Sequence, residues 1–200
     1  MSHHRRPFQR KYGERRYKKI LLIATEGVKT EPQYFAIFNN KKTIIQVKCL
    51  KGNNDSSPPQ VLKRMKEDLK KESLNKSDEA WLVVDKDDWS DGQLSLLYEW
   101  SKTAKNYYFA LSNPNFEFWL LLHYEDGKDI NNSDQCLQQL NRHLPNYNKE
   151  IDVRNINNEM IEAAIKRAKN RDNPPIQDWP RACGQTTVYK LVENIFGATN

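Results

Sequence analysis

The sequence predicts an α/β fold: a mainly parallel sheet of about four strands flanked by helices on both faces, followed by a C-terminal helical layer. Three observations predict it. Short apolar runs of strand length alternate four times with stretches of helical periodicity over residues 20–124. The first of these runs is apolar throughout rather than alternating, as in a strand buried on both faces of a parallel sheet. Beyond residue 125 no segment has good strand character, whereas three segments keep helical spacing.

The elements follow in order. Residues 20–25 (ILLIAT) form the first strand, and 28–39 a helix with Tyr34, Phe35 and Phe38 on its inner side. Residues 43–50 (TIIQVKCL), rich in β-branched side chains, form the second strand. Gly52 to Pro59 has loop composition, and 59–73 reads as a helix with Val61, Leu62, Met65 and Leu69 at helical spacing. Residues 79–84 (EAWLVV) are the third strand, ending at Asp85, and a helix follows over about 91–104 with Leu94, Leu97, Tyr98 and Ser101 on one face. Residues 107–111 (YYFAL) are the fourth strand. After the turn Ser112-Asn113-Pro114, residues 115–124 read as a strongly apolar, buried helix. Residues 133–142, 157–170 and 186–196 look helical, joined by Asn/Pro-rich connections at 145–148 and 170–175. The expected organisation is a basic arm at 1–19, an α/β core at 20–125 and a helical extension at 126–200 packed on that core.

Composition narrows the class. Of the 200 residues, 38% are hydrophobic and 29% charged, as in a soluble globular chain rather than a disordered one. No apolar run approaches the roughly 20 residues that cross a bilayer, and the polar N-terminus has no signal-peptide core. Cys49, Cys136 and Cys183 lie too far apart for a CxxC pair, which argues against zinc or a disulfide framework and for a reducing cytoplasm. The net charge of +6 is unevenly spread. Residues 1–19 hold eight basic residues against Glu14, a net of +7, which leaves the rest of the chain at −1. Within that arm Arg5, Arg6, Arg10, Lys11, Arg15 and Arg16 are interleaved with Phe8, Tyr12 and Tyr17, a pattern suited to phosphate contact and base stacking. A solvated tail is the other reading.

Acids fall where chemistry is expected. In an open parallel sheet, ligands bind beyond the carboxyl ends of the strands. Strand one runs into Thr25-Glu26-Gly27, strand three into Asp85-Lys86-Asp87-Asp88, and strand four into a turn and then Glu117. Crowded carboxylates repel, and a hard cation such as magnesium relieves that repulsion while keeping room for substrate phosphates. Each acid alone also fits a helix cap or a dipole contact. Lys29, at a helix start, is a candidate phosphate contact, with a surface lysine as the alternative. His123 on an apolar helix reads as a satisfied core histidine, and Lys86 as one member of a structural salt bridge. Trp89, Trp100, Trp119 and Trp179 read as core or interface residues. No phosphate-binding glycine loop is present, so the chain is not expected to hydrolyse ATP itself.

These motifs resemble known proteins. Thr25-Glu26-Gly27 with Asp85-Lys86-Asp87 is similar to the TOPRIM fold of topoisomerases, primases and some nucleases. TEGVKTEPQYF at 25–35, VVDKDDW at 83–89, SNPNFEFWLLLHY at 112–124 and TTVYKLVENIF at 186–196 resemble the RloB family over nearly the whole chain after the arm. The resemblance implies a TOPRIM-like sheet and a bacterial phage-defence or restriction locus. It also implies a partner ATPase of the ABC or AAA type, and a Mg- (or Mn-) dependent endonuclease cleaving RNA, tRNA included, or DNA. Glu26, Asp85 and Asp87 would then be catalytic metal ligands and Glu117 a further ligand, with Glu31 and Asp88 in support. The rival reading is a non-catalytic subunit that uses the same fold to bind an ATPase or a phage component. Topoisomerase or primase activity would need further domains. Monomer and homodimer are both left open.

Overall fold

The computed structural model describes residues 19–39, 45–51, 57–71, 73–87, 89–173, 175 and 178–197. Arg5, Arg6, Arg10, Lys11, Arg15, Arg16 and Asp88 lie outside the described residues. In chain order the elements are β1 (Lys19–Thr25), α1 (Thr30–Ala36), β2 (Ile45–Cys49), α2 (Pro58–Lys71), β3 (Glu79–Asp85), α3 (Asp91–Ser101) and β4 (Tyr107–Asn113). They continue with α4 (Phe116–Leu121), α5 (Ser133–His143), a 3₁₀ turn at Val153–Asn155, α6 (Asn158–Arg171), β5 (Gln185–Thr186) and α7 (Val188–Gly197). Among the described residues no helix is long and apolar enough to cross a membrane.

The five strands form one sheet in the order β2-β1-β3-β4-β5. The first four are parallel and β5 runs antiparallel to β4. This is the α/β architecture expected, and it is consistent with a TOPRIM-like layout. The apolar strand runs are explained by two covered faces. Leu21, Ile23, Trp81, Val83 and Ala110 point to one face, where α1, α4, α5, α6 and α7 contribute to a single core. Leu22, Ala24, Ala80, Leu82, Val84 and Leu111 point to the other, beneath α2 and α3. Successive residues of a strand alternate between faces, so a strand apolar on both reads as continuous. Ser90 starts α3 with a capping box, its hydroxyl accepting from the backbone of Gln93 while the Gln93 side chain returns to the backbone of Ser90.

Strand order positions the site. From β1 the chain passes through α1 on one face to β2. It then crosses back through α2 on the other face to β3, on the far side of β1. Connections that leave in opposite directions from adjacent strands open a crevice at their carboxyl ends. Here that crevice lies between the ends of β1 and β3.

Two sequence expectations are corrected. A strand does occur beyond residue 125: β5 pairs Ser112 with Thr186 and Asn113 with Gln185. It is only two residues long and is held by side chains, Ser112 Oγ lying 2.9 Å from Thr186 Oγ1 and Leu111 N donating to Thr187 Oγ1 at 2.8 Å. No local periodicity marks so short a strand, and α7 accordingly begins at Val188 rather than 186. The C-terminal helices cover one face of the sheet. Ile161, Ile165, Val188, Leu191 and Ile195 are all buried in the core against β1, β3 and β4, so self-packing accounts for them. Because Leu191 is fully buried, Leu191→Ala is expected to cost about 2–5 kcal/mol. Urea denaturation should still show one cooperative transition, with α7 and the sheet lost together. Separate transitions would show that the C-terminal layer folds on its own.

Candidate carboxylate site

β1 delivers Glu26 to the crevice. The ladder to β3 continues one residue past the strand, Glu26 N donating to Val83 O at 3.0 Å. The Glu26 carboxylate then crosses to β3. Its Oε2 accepts from Asp85 N at 3.2 Å and its Oε1 from Trp89 Nε1 at 2.9 Å. The following turn is closed by Thr25 Oγ1 donating to Gly27 O at 2.7 Å. Gly27 N donates to Glu31 Oε1 at 2.9 Å, and a Cβ on residue 27 would stand 2.0 Å from Glu31 Oε2. A larger residue here would displace the Glu31 carboxylate from this bond, and Glu31, buried in the first turn of α1, braces the turn that carries Glu26.

Asp85 closes β3 opposite Ser112 of β4. Beyond it the backbone stays pinned to the β4 end, Lys86 N donating to Ser112 O at 2.8 Å and Asp87 N to Pro114 O at 2.9 Å. Asp87 adopts a left-handed φ of 31° and accepts from Ser133 Oγ at 3.0 Å. Lys86 turns away, donating to Trp89 O at 2.7 Å and lying 3.8 Å from Asp91, as a structural salt bridge requires. Glu117, in the first turn of α4, is 2% exposed. Its Oε1 accepts from Tyr147 Oη at 2.9 Å and from Lys149 Nζ at 2.6 Å.

One cleft of about 470 Å³ is lined by Glu26, Glu31, Asp85, Asp87 and Glu117, which bring carboxylates, together with Lys29 and Lys149. Lys29 reaches outward to Glu150 at 2.9 Å. Burial pushes the Glu26 carboxyl up from 4.5 to about 7. The nearby Glu31 and Asp87 charges add to this, while the hydrogen bonds from Trp89 and Asp85 oppose it. Burial also raises Asp85 well above the usual aspartate range, reinforced by Glu31, Glu26 and Glu117. Glu31 is raised in the same way, by burial first and then by Glu117.

Among the described residues, no group of three or more acidic, histidine or cysteine side chains is placed to hold a metal ion as it stands. The donor chemistry nonetheless fits a hard divalent cation: several oxygen donors share a partly desolvated cleft in which their negative charges oppose one another. Magnesium needs only one or two of them and keeps several waters.

The sequence reading missed three residues here. Trp89 reads as a core or interface tryptophan yet orients Glu26, and Tyr147 lies in, and Lys149 just after, the Asn/Pro-rich connection at 145–148, which carries no motif. The C-terminal half reaches the acid edge through Ser133, which meets Asp87, and through Tyr147 and Lys149, which meet Glu117. His123 is a core residue as expected. Its Nε2 lies 3.1 Å from Tyr34 Oη and its Nδ1 3.0 Å from Trp119 O, and burial pushes it down to about 4.

The raised carboxyl groups have a consequence for stability. A group whose pKa is higher folded than unfolded stabilises the fold fully below its unfolded value, and that contribution is lost as pH rises through the folded value. For Glu26 the window runs from 4.5 to about 7. The metal-free protein is expected to melt at progressively lower temperature across that window, and Glu26→Gln to flatten the decline. A parental slope in the variant would show that Glu26 is not the titrating group.

The family model for RloB-like proteins matches residues 21–195. Comparison with curated proteins and with solved structures gave no match. The matched span takes in every strand end that feeds the cleft and the connection that brings Asn148 and Lys149 to it, and the chain belongs to the RloB-like family.

Proposed function

We propose that this chain is a metal-dependent nuclease that hydrolyses phosphodiesters in RNA or DNA. The observation that carries this reading is the meeting of Glu26 and Asp85 at the crevice between β1 and β3, with Asp87 and Glu117 on the same cleft. Glu26, Asp85 and Asp87 would hold magnesium or manganese, with Glu117 as a further ligand. When bound, the ion polarises the phosphate and makes a water molecule easier to deprotonate.

The chain's own residues supply the rest. In the metal-free cleft burial holds the Glu26 carboxyl near 7, the range in which a general base accepts and returns a proton at neutral pH. Glu26 takes the proton of the attacking water as the new oxygen–phosphorus bond forms. The bond to the leaving oxygen breaks, and that oxygen takes up a proton. Trp89 and the Asp85 backbone fix both carboxylate oxygens of Glu26 during this exchange. Lys29 on the cleft rim, and Arg5, Arg6, Arg10, Lys11, Arg15 and Arg16 of the arm, offer phosphate contacts. A role as effector of a phage-defence system under a partner ATPase rests on the resemblance of the motifs alone.

One observation favours the rival, a non-catalytic binding subunit. Glu117 is already neutralised by Lys149, and among the described residues no group of acids is placed to hold a metal ion as it stands. Mutagenesis separates the two readings. Glu26→Gln and Asp85→Asn are each expected to reduce Mg-dependent cleavage of single-stranded RNA or DNA by at least about 10²-fold, with far-ultraviolet circular dichroism unchanged. Cleavage at the parental rate by either variant removes that residue from the mechanism. No cleavage by the parent under any divalent cation favours the binding subunit.

The arm is tested separately. Deleting residues 1–19 removes a net charge of +7. Nucleic-acid affinity is expected to fall and its dependence on salt to flatten. An unchanged salt slope would mean that the arm does not contact phosphate.

A further inference from the structure

The segment between α5 and the 3₁₀ turn reaches across the cleft. Thr30 Oγ1 donates to Lys149 O at 2.7 Å and Ile151 N donates to Gln33 Oε1 at 3.0 Å, so the backbone of this strap is tied to α1. Two non-glycine residues in it, Asn146 at φ 64° and Lys149 at φ 57°, hold left-handed conformations. Residues such as lysine seldom adopt this geometry unless their surroundings impose it. Its effect here is to turn the Lys149 side chain inward over α4.

What Lys149 meets there is unusual for a surface lysine. Its side chain is 63% exposed, yet Nζ ends 2.6 Å from an oxygen of Glu117, whose side chain is 3% exposed. The ammonium therefore comes from solvent and caps a buried carboxylate. Burial would weaken its hold on the proton, but the Glu117 hydrogen bond and the charges of Glu117, Asp85 and Glu31 outweigh that and raise its pKa. Among the described residues that line the cleft, Lys149 is thus the cation that meets its acids, whereas the Lys29 ammonium is engaged by Glu150.

An ammonium and a divalent cation compete for the same carboxylate oxygen. A divalent ion on Glu117 would repel the Lys149 ammonium, and the four-carbon stem lets that charge move without disturbing the strap. The next anion available to it is a phosphate held in the same cleft. We propose that Lys149 is a substrate-contact residue: it shields Glu117 in the free site and passes to the scissile phosphate when a divalent cation takes Glu117. This inference rests on the nuclease reading. In the second position Lys149 stabilises the charge that grows on the phosphate oxygens as water attacks, which is the role of a preorganised donor. Tyr147, bonded to the same Glu117 oxygen, keeps that carboxylate satisfied when the lysine leaves.

The test compares K149M and K149R in the full chain through two readouts. One is Mn²⁺ binding by calorimetry without nucleic acid. The other is Mn²⁺-dependent single-turnover cleavage of a labelled oligonucleotide. K149M is expected to bind Mn²⁺ several-fold tighter than the parent, because the competing charge is gone. It should nevertheless cleave about 10²-fold more slowly, the loss expected for one donor to developing charge. K149R keeps the charge and is expected to restore near-parental Mn²⁺ affinity and most of the cleavage. If K149M does not fold, K149Q serves the same two measurements. Unchanged or weaker Mn²⁺ binding by the neutral variant, or cleavage at the parental rate, overturns the proposal; where the parent cleaves, the nuclease reading stands. A parent that cleaves no nucleic acid overturns both.

Discussion

The parallel pairing of β1 with β3 is the constraint from which the rest of the molecule follows. It is central in the sheet and buried on both faces, and it continues one residue past the strands through the bond from Glu26 N to Val83 O. That last bond carries Glu26 to the β3 end, where its carboxylate accepts the backbone N–H of Asp85. Two acids that are distant in sequence become neighbours because a hydrogen-bond ladder leaves them no other place. Their mutual repulsion is a cost of that placement. Replacing either acid with a neutral side chain would relieve it.

The surroundings hold these charges in place without neutralising most of them. Glu26 is held by two N–H donors, Glu31 by the backbone of Gly27, and Asp87 by the hydroxyl of Ser133. Each such bond fixes orientation and supplies no positive charge. Glu117 differs, with an ammonium and a phenol on the same oxygen. The cleft accordingly combines carboxylates from the strand ends with one ammonium from a strap of the C-terminal half. The proposed phosphodiester chemistry would need both signs of charge, one to hold a cation and one to meet a phosphate.

The C-terminal half has two roles that are physically linked. Its helices bury Ile161, Val188, Leu191 and Ile195 against the sheet face that also carries α1 and α4. That packing sets where the connection between α5 and the 3₁₀ turn passes, and so where Tyr147 and Lys149 arrive. A core contact thereby determines a contact at the cleft, and the basic or phenolic character of the strap matters only because the helices beside it are anchored.

Much of this was legible from the amino acids alone. The four parallel strands, the helices between them and the positions of Glu26, Asp85, Asp87 and Glu117 at strand or helix ends all come from short-range pattern, because burial on two faces imposes apolar runs and chain direction places acids at their carboxyl ends. The close approach of Glu31 to Gly27 was not legible, since it depends on a side chain four residues on folding back within 2.0 Å of where a Cβ would stand. Nor was β5, whose two residues are held by hydroxyls on β4 and its neighbour in the fold. Trp89, Tyr147 and Lys149 have ordinary loop or core composition, and what they do is decided by partners that are 30 or more residues away. Local pattern thus determined which residues reach the edge of the sheet, whereas only tertiary packing decided which of them touch, because hydrogen bonds and charges act over a few ångströms of space whatever the separation along the chain.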